Sequence, residues 1–506
     1  MNIIQLTPGA GAMFCGNCFR DNALVAVLRK MGHEVTMVPL YLPLTLDEVD
    51  QSSGTPIFFS GINVYLEQKS ALFRQAPDWI RNVLASRPLL RWAAGRAAKT
   101  RAMDLGDLTL SMLRGEEGKQ VRELDDLIEW LLKNQPRPDV ICLSNALLLG
   151  MARRLKSKLG APLVCALQGE DSFLDALPPS HRAACWQAVA ERAAEVDAFI
   201  APSRYFANLM SERLGLPADT VRVVYNGIDL AGYGGESRIA SDEQGRSLSS
   251  SAATRQSPPK LGFFARMCRE KGLDTLVEAF ILLRKRGRVK DLDLRVGGSC
   301  GPADESFVNS LRGRLEVNGL MGAVEFHPNL DRAAKLTFLK GITVFSVPAL
   351  YGEAFGLYVI EAMAAGVPVV QPRTAAFPEL IEATGGGVLA RPMILRHWLT
   401  ELKVCCWSPA ERARWAKPGL APSRKIFLPS RWRALPCRFM SKFGLYPKLN
   451  AQLSTLNPLK CLTNLDSFAV SSFQKPIWLA SFIIRIFFVI WSRPSMASSA
   501  RWASRS

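Results

Sequence analysis

The chain has 506 residues, of which 48% are hydrophobic and 21% are charged, so it is long enough for two or three globular domains. Its net charge of +18 would suit a protein that binds nucleic acid or an anionic membrane. The distribution of that charge argues against this for most of the chain, because residues 393–506 contain 18 basic and 3 acidic residues, whereas residues 1–392 contain 45 and 42. We therefore expect no nucleic-acid partner for the near-neutral first part.

Eleven cysteines are scattered along the chain, and several, such as Cys142 and Cys165, fall in apolar predicted strands. This pattern is typical of reduced thiols and predicts a cytoplasmic protein. Cys15 and Cys18 form a CxxC pair, for which we expect a structural or loop role, because a zinc site would require further ligands. The first residues lack the basic segment of a signal peptide and predict a strand instead.

The first elements of the chain predict a Rossmann-like domain. They are a strand, a glycine-rich turn, a helix and a second strand, at residues 2–6, 8–12, 20–31 and 34–40. Gly9 and Gly11 in the turn would allow the backbone to approach a phosphate or a sugar closely. A tight turn that serves packing alone explains the two glycines equally well.

Residues 47–122 do not continue this alternation of strands and helices, and they predict an insertion that shapes an acceptor site. Within it, residues 58–66 predict a loop and a strand. A basic helical patch follows, which would suit contact with anionic lipid or a phosphorylated acceptor, although a solvated helix face explains it as well. The basic residues of this patch are Arg87, Arg91, Arg96, Lys99 and Arg101.

Alternating strands and helices resume after the insertion, and one predicted strand, residues 162–167, ends in polar residues. These are Gln168, Glu170 and Asp171. Because α/β proteins place ligands at the carboxyl ends of parallel strands, the three are candidate acceptor or cleft residues. A glutamine donates a hydrogen bond to a sugar hydroxyl but is no acid or base near neutral pH.

Residues 231–259 are rich in serine, glycine and charge and predict a linker, after which a second domain begins at residue 260. A strand at residues 261–265 leads directly to Arg266 and Lys271, which lie five residues apart at the start of a helix. Two cations in this position suit a diphosphate, because charge-assisted hydrogen bonds are among the strongest in proteins.

A strand–turn–helix–strand unit around residues 342–370 predicts a second part of the same site. Glu353 and Glu361 lie eight residues apart, and between them Gly356 and Leu357 would open a helix whose backbone N–H groups point at an anion. Two carboxylates beside such a helix end suit a ligand with both hydroxyls and phosphates, such as a nucleotide sugar. Two solvated glutamates beside an ordinary helix would explain the spacing alone.

The segment from Glu353 to Glu361 resembles the Glu-x7-Glu motif of retaining, family-4-type (group 1) glycosyltransferases, and the resemblance covers about residues 1–392. It implies the α/β GT-B fold, in which two Rossmann-like domains face a cleft. The implied boundaries are 1–230 for the acceptor domain, 231–259 for the linker and 260–392 for the nucleotide-sugar donor domain. The resemblance also implies that Glu353 contacts the transferred sugar, that Glu361 holds the ribose hydroxyls, and that Arg266 and Lys271 bind the donor phosphates.

The activity implied by this resemblance is transfer of a sugar from a nucleotide-diphosphate sugar to an acceptor with retention of configuration. It implies no metal and no other cofactor, and a role in cell-envelope or polysaccharide biosynthesis. The acceptor would be a glycan or a lipid-linked molecule, and its identity stays open. Gln168 stands where the family often has histidine, which argues against a histidine-based role there. Two rivals remain: an epimerase or hydrolase on the same fold, and a nucleotide-sugar-binding protein without catalysis.

Residues 393–506 depart from the resemblance. They contain 7 of the chain's 11 tryptophans and lack a steady helical period, so we expect this basic, apolar tail to lie outside the GT-B core. A disturbed reading frame or an unrelated extension is the origin that we favour. Residues 477–491 are strongly apolar but too short to cross a bilayer, so peripheral association with the inner face of a membrane stays open as a further alternative.

Overall fold

The computed structural model describes residues 1–9, 15–46, 48–70, 73–86, 89–90, 105–217, 219–233, 258–287, 291–391 and 400–402. Within these residues the chain forms two six-stranded sheets in which all strands are parallel and are connected by helices. This arrangement confirms the prediction of two Rossmann-like α/β domains. Several predictions fall outside the described residues: Gly11, all five basic residues of the patch from Arg87 to Arg101, most of the linker, and nearly all of the tail.

The first sheet has the strand order β2-β1-β3-β4-β5-β6. Its inner strands are short and almost wholly buried, as parallel strands are when helices cover both faces of a sheet, whereas the edge strand β6 is largely exposed. Ile3, for example, pairs with Val35 on one side and Val140 on the other. The strands are β1 Asn2–Thr7, β2 Glu34–Pro39, β3 Val140–Leu143, β4 Leu163–Ala166, β5 Ala198–Ala201 and β6 Val221–Val223.

The helices of the first domain bury apolar faces against this sheet. Phe199 in β5 and Phe206 on the following helix are both fully buried in the same core. The described helices are α1 Gly16–Lys30, α2 Gly61–Lys69, α3 Asp78–Leu84, α4 Gly106–Arg114, α5 Val121–Asn134, α6 Ala152–Leu159, α7 Glu170–Asp175, α8 Pro179–Ala193 and α9 Arg204–Leu214.

The second sheet has the order β12-β11-β10-β7-β8-β9 and its own core, with Phe263, Phe280 and Phe345 fully buried. Its strands are β7 Lys260–Phe264, β8 Asp293–Gly298, β9 Val324–Pro328, β10 Val344–Ser346, β11 Val369–Pro372 and β12 Gly387–Ala390. Its described helices are α10 Leu273–Lys285, α11 Glu305–Val317, α12 Arg332–Lys340, α13 Leu357–Ala364 and α14 Phe377–Thr384.

The strand predicted within residues 58–66 is wrong. Phe58 makes a single bridge to Leu40, and the chain then enters helix α2. Ser60 is the N-cap of this helix, because its side chain accepts a hydrogen bond from the Asn63 backbone N–H. A serine cap satisfies a backbone donor that would otherwise lack a partner, and here it outweighed the β-branched and aromatic residues that suggested a strand.

Direct hydrogen bonds join the two domains beside the carboxyl ends of their strands. The Ser203 hydroxyl, at the start of α9, donates to the Ala354 carbonyl at 2.7 Å. Glu379 on α14 accepts the Arg204 backbone N–H at 2.8 Å and the Tyr225 hydroxyl at 2.8 Å. A carboxylate of the second domain therefore lies at the positive end of a helix of the first domain, where negative charge is favoured.

Candidate functional site

Glu353 lies in the loop between β10 and α13, largely buried against a lysine and two tyrosines. The Lys271 Nζ atom is 2.5 Å from Glu353 Oε2. The hydroxyls of Tyr358 and Tyr351 donate to the same oxygen at 2.8 and 3.2 Å. The Lys271 ammonium also lies over both tyrosine rings, 4.9 and 5.0 Å from their centroids. The structure therefore brings together two residues predicted from separate motifs.

The protonation states of Lys271 and Glu353 depend mainly on the burial of the two groups and on the charge that each places beside the other. Burial raises the pKa of Glu353, but the Lys271 ammonium and the hydrogen bonds from Lys271, Tyr358 and Tyr351 outweigh it, so the net pKa is lowered. Burial lowers the pKa of Lys271, but Glu353 raises it further, so its net pKa is raised. Both groups are consequently charged near neutral pH, and the pair is a largely buried salt bridge.

Glu361 lies in helix α13 and is held by residues from two other segments. Its Oε1 atom accepts hydrogen bonds from Lys335 Nζ and from the Tyr233 hydroxyl, both at 2.9 Å. Within the described part of the chain, the second oxygen, Oε2, makes no hydrogen bond. The carboxylate is thereby fixed in orientation while one oxygen keeps its capacity to accept hydroxyl protons.

Arg266 follows strand β7 and is oriented by Asp304. The Nε and Nη2 atoms of the guanidinium each donate to an Asp304 oxygen at 3.0 Å, which is a bidentate pair. The arginine side chain is still 52% exposed. Arg266 and Glu361 both line a cavity of about 200 Å³ that residues of both domains enclose. Tyr358 is also in that wall, and its hydroxyl connects the wall to the buried Glu353.

Helix α13 begins at Leu357, as predicted. Gly356 is its N-cap and has a φ of 97°, a left-handed conformation that favours glycine. A Cβ atom at Gly356 would also lie 3.1 Å from the Phe377 ring, so the turn leaves little room for a larger residue. Leu357 lines the cavity beside Glu361, which puts the first turn of the helix at the edge of the candidate site.

Two family models match this chain over most of the described residues. A model described as "Glycosyl transferases group 1" matches residues 247–395, and one described as "Glycosyltransferase Family 4" matches residues 110–231. The chain belongs to the group 1 glycosyltransferases. The predicted family resemblance is thus confirmed, with each model falling on one of the two domains.

Solved structures similar to this glycosyltransferase confirm the GT-B fold. Sucrose-phosphate synthase from Thermosynechococcus elongatus superposes with a TM-score of 0.62 at 17% identity, covering 89% of this chain and 99% of that one. Anabaena HepE, solved in complex with UDP and glucose, has a TM-score of 0.58 at 16% identity, with 90% and 99% covered.

A curated relative is the D-inositol 3-phosphate glycosyltransferase of Xylanimonas cellulosilytica, 28% identical over 231 residues, which are 46% of this chain and 53% of that protein. The first curated relatives are matched over only 35–53% of their own length.

Gly9, in the first domain of this glycosyltransferase, is packed against the end of strand β2. It has a φ of 72°, and a Cβ atom there would lie 2.7 Å from the Leu40 carbonyl oxygen and 2.0 Å from that of Leu42. This close backbone approach accounts for a glycine at the position. A role of Gly9 toward a ligand stays a prediction.

Glu170 is almost completely buried, and its carboxylate is bound by backbone amides. Oε1 accepts the Ala146 N–H at 2.8 Å, and Oε2 accepts those of Gln168 and Gly169 at 2.8 and 3.0 Å. Burial raises the pKa of Glu170, with these N–H groups acting in the opposite direction. The carboxylate therefore ties the loop after β3 to the loop after β4.

Gln168 and Asp171 lie close to Glu170 in the chain, one before it and one after it. The Gln168 side-chain oxygen accepts from Asn226 Nδ2 at 3.2 Å, close to the exit of the first domain. Asp171 Oδ1 is buried and, among the described residues, has no hydrogen-bond partner, and burial raises the pKa of this carboxyl. The structure keeps both residues at the carboxyl end of β4, and their roles toward an acceptor stay predictions.

Sequence reasoning missed the residues that hold the predicted ones in place. Lys335 precedes Glu361 by 26 positions and Asp304 follows Arg266 by 38, so no local spacing connects either pair. Tyr233 lies after strand β6, at the start of the segment predicted as the linker. Tyr358 lies inside the Glu-x7-Glu motif, next to Leu357, and its position there was the one signal available in the sequence.

The described residues contain no group of three or more His, Cys, Asp or Glu side chains arranged to hold a metal ion. The expected absence of a metal requirement stays a prediction. No helix within the described ranges combines the length and the apolarity that crossing a bilayer requires. A separate cavity of about 280 Å³ lies at the amino ends of β1 and β2, at the edge of the sheet opposite the candidate residues.

Proposed function

We propose that this group 1 glycosyltransferase transfers a sugar from a nucleotide-diphosphate sugar to an acceptor with retention of the anomeric configuration. The observation that carries the proposal is the cavity wall, where the Arg266 guanidinium and the Glu361 carboxylate lie together. A diphosphate requires cations and a ribose requires hydrogen-bond acceptors, and this wall offers both. The complex of Anabaena HepE with UDP and glucose supports the same class of donor.

Glu361 would receive the ribose. Lys335 and Tyr233 occupy Oε1 and fix the carboxylate, so Oε2 is the atom that would accept a ribose hydroxyl. Because the carboxylate is already oriented, little side-chain entropy is lost when the ligand binds.

Arg266 and the first turn of α13 would bind the diphosphate. Negative charge grows on this group as the bond to the sugar breaks, so cations and backbone N–H groups that point at it stabilise the transition state more than the ground state. Asp304 keeps the guanidinium in one orientation through two hydrogen bonds of 3.0 Å. Arg266 should therefore contribute to turnover more than to acceptor binding.

The salt bridge of Lys271 and Glu353 would lie beside the transferred sugar. An ammonium has three N–H donors, so Lys271 retains donors for a phosphate oxygen while it holds Glu353. Glu353 would contact the sugar, and its lowered pKa keeps it in the carboxylate form. No covalent glycosyl-enzyme intermediate of the glycosidase kind is assigned to it.

The acceptor would bind on the first domain, near Gln168 and Asp171. Gln168 offers a hydrogen bond to a hydroxyl but no acid or base. The name of the inositol phosphate relative adds a phosphorylated polyol to the glycans and lipid-linked sugars that we propose as candidate acceptors. A role in cell-envelope or polysaccharide biosynthesis, in the cytoplasm or at the inner face of the membrane, belongs to the same proposal.

The test is mass spectrometry of the products after incubation of the full chain with a panel of nucleotide sugars, with and without candidate acceptors. We expect the acceptor mass to rise by one sugar and a nucleoside diphosphate to be released, with activity unchanged by a chelator. The coupling constant of the anomeric proton in the product reports retention. Nucleotide release without acceptor would identify a hydrolase. A donor of unchanged mass but altered NMR spectrum would identify an epimerase, and tight binding without turnover a non-catalytic protein.

A matched pair of variants ties the activity to the cavity. Arg266→Ala should lower turnover strongly, whereas Arg269→Ala, which removes an arginine 74% exposed outside the cavity lining, should leave it near the wild-type value. Equal effects of the two substitutions would contradict the assignment of Arg266.

A further inference from the structure

The CxxC pair lies at the start of a helix. Cys15 is the N-cap residue of α1, and Cys18 is the third residue of that helix. Cys15 is partly exposed, whereas Cys18 is 1% exposed. Residues three apart across the first turn of a helix are neighbours with Cβ atoms about 5–6 Å apart, so the two cysteines have to approach by roughly 1–2 Å to reach the Cβ separation of about 3.5–4.5 Å in a disulfide.

The environment divides the two thiols into an attacking and a resolving group. The hydrogen bond from the Cys18 thiol lowers the pKa of Cys15 to about 7, assisted by the backbone N–H groups of Cys18 and Asn17, while burial acts in the opposite direction. The hydrogen bond to Cys15 and burial both raise the pKa of Cys18. Near neutral pH about half of Cys15 is thiolate, and Cys18 keeps its proton.

Cys15 is adjacent in the chain to a residue that lines the cavity of Arg266 and Glu361. Gly16, between the two cysteines, and Phe19, directly after them, line the same cavity as Glu361. Gly16 is exposed, and a Cβ atom at that position would lie 3.5 Å from Leu357, the first residue of α13. A small molecule that enters the cavity therefore passes the amino end of α1.

We infer that Cys15 and Cys18 form a reactive dithiol beside the cavity, which exchanges with low-molecular-weight disulfides and closes to an intramolecular disulfide. The Cys15 thiolate attacks one sulfur of the small disulfide, a new sulfur–sulfur bond forms, and one small thiolate leaves and takes up a proton. Cys18 then loses its proton and attacks Cys15 Sγ, releasing the second small thiolate. The protein loses two electrons and two protons, and the small disulfide is reduced to two thiols.

The experiment uses the full chain and glutathione disulfide at about pH 7. Trypsin releases Met1–Arg20 as one peptide, which contains Cys15 and Cys18 and no other cysteine. After brief exposure this peptide should lose the mass of two hydrogens and carry no glutathione. Peptide mapping separates it from the other nine cysteines of the chain.

Two variants test the separate roles of Cys15 and Cys18, and a third serves as a control. Cys18→Ser should trap one glutathione on Cys15, and Cys15→Ser should prevent both the adduct and the disulfide. Cys300→Ser is the matched control, because Cys300 is also partly buried but its pKa is raised by burial, so its loss should change nothing in the peptide. Iodoacetamide should alkylate Cys15 at least about tenfold faster than Cys300.

A glutathione adduct that persists on wild-type Cys15, an unmodified peptide, or equal alkylation rates at Cys15 and Cys300 would each overturn the inference. These outcomes are read on the wild-type peptide, so they stand even if Cys18→Ser does not fold. They are also independent of sugar transfer, which the inference does not require.

Discussion

Two buried glutamates at the carboxyl ends of parallel strands have opposite environments in this molecule. Glu170 in the first domain is bound by three backbone N–H groups of its own and a neighbouring loop. Glu353 in the second domain is bound by a lysine and two tyrosines, and the lysine lies 82 positions away. Burial raises the pKa of both carboxyls, but only for Glu353 do the partners outweigh it, so its pKa ends below the ordinary value.

The difference shows which carboxylate is part of the scaffold and which belongs to the site. Backbone amides cannot be displaced without unfolding a loop, so Glu170 holds the loops of the first domain in place. A side-chain ammonium has further donors and is able to share them with a ligand, so the salt bridge of Glu353 leaves both partners available for binding. Position at a strand end therefore indicates a candidate, and the identity of the partners decides its role.

The largest expected effect is that of removing Lys271. Lys271→Met leaves Glu353 buried without its cation, and losing one partner of a buried pair costs about 3–5 kcal/mol. We expect a lower melting temperature and a turnover reduced by at least about 100-fold. The double variant Lys271→Met/Glu353→Gln should recover the melting temperature but not the turnover. A double variant no more stable than the single one would show that the two residues do not form the pair described.

Glu361 should affect donor affinity without affecting stability greatly. Glu361→Gln keeps the volume of the side chain and removes its charge, and a hydrogen bond to a charged group is worth about 1.5–3 kcal/mol. Affinity for a nucleoside diphosphate, measured by calorimetry, should fall about 10- to 100-fold. Glu382→Gln, on the exposed face of α14, is the control and should bind as the wild type does. If the wild type, Glu361→Gln and Glu382→Gln bound the nucleoside diphosphate with equal affinity, Glu361 would not be a donor-binding residue.

Substitution of Glu170 should lower stability without greatly affecting donor affinity. Glu170→Gln replaces a carboxylate oxygen that accepts backbone N–H groups with an amide nitrogen that cannot, at a cost of about 1–3 kcal/mol. The melting temperature should fall while nucleoside diphosphate affinity stays within about twofold of the wild-type value. A loss of affinity as large as that of Glu361→Gln would place Glu170 among the ligand-binding residues.

The smallest expected effect is a difference in pH dependence. The pKa of Glu353 is lowered in the folded protein, so its contribution to stability is present above the ordinary carboxyl range and is lost as pH falls through the lowered value. The pKa of Glu170 is raised, so its contribution is fully present below the ordinary range and declines as pH rises through the raised value. Melting temperatures of the wild type, Glu353→Gln and Glu170→Gln from about pH 2 to about pH 7 should separate the two trends. If the melting temperatures of Glu353→Gln and Glu170→Gln depended on pH in the same way, the opposite pKa shifts of the two carboxyls would be contradicted.

The sequence by itself determined the fold class and most of the site candidates. Short apolar runs that alternate with helical patterns require a parallel sheet covered on both faces, because such strands have no polar face to expose to water. The same local patterns predicted that α13 begins at Leu357, since a glycine before an apolar helical run is a local signal. The strand predicted near Phe58 failed because a single side-chain cap at Ser60 decided the local conformation.

Only the tertiary structure decided which polar groups face the cavity and which serve the scaffold. Glu353 and Glu170 look alike in the sequence, each beside a glycine after a buried strand, yet Glu353 is bound by Lys271 from 82 positions away and Glu170 by the Ala146 backbone N–H from 24 positions away. Lys335 and Tyr233 reach Glu361 from different segments, 26 and 128 positions away, and no periodicity encodes such contacts. Electrostatic partnerships of this kind depend on distances through space, which the chain sets only when both sheets have formed and the two domains have packed together.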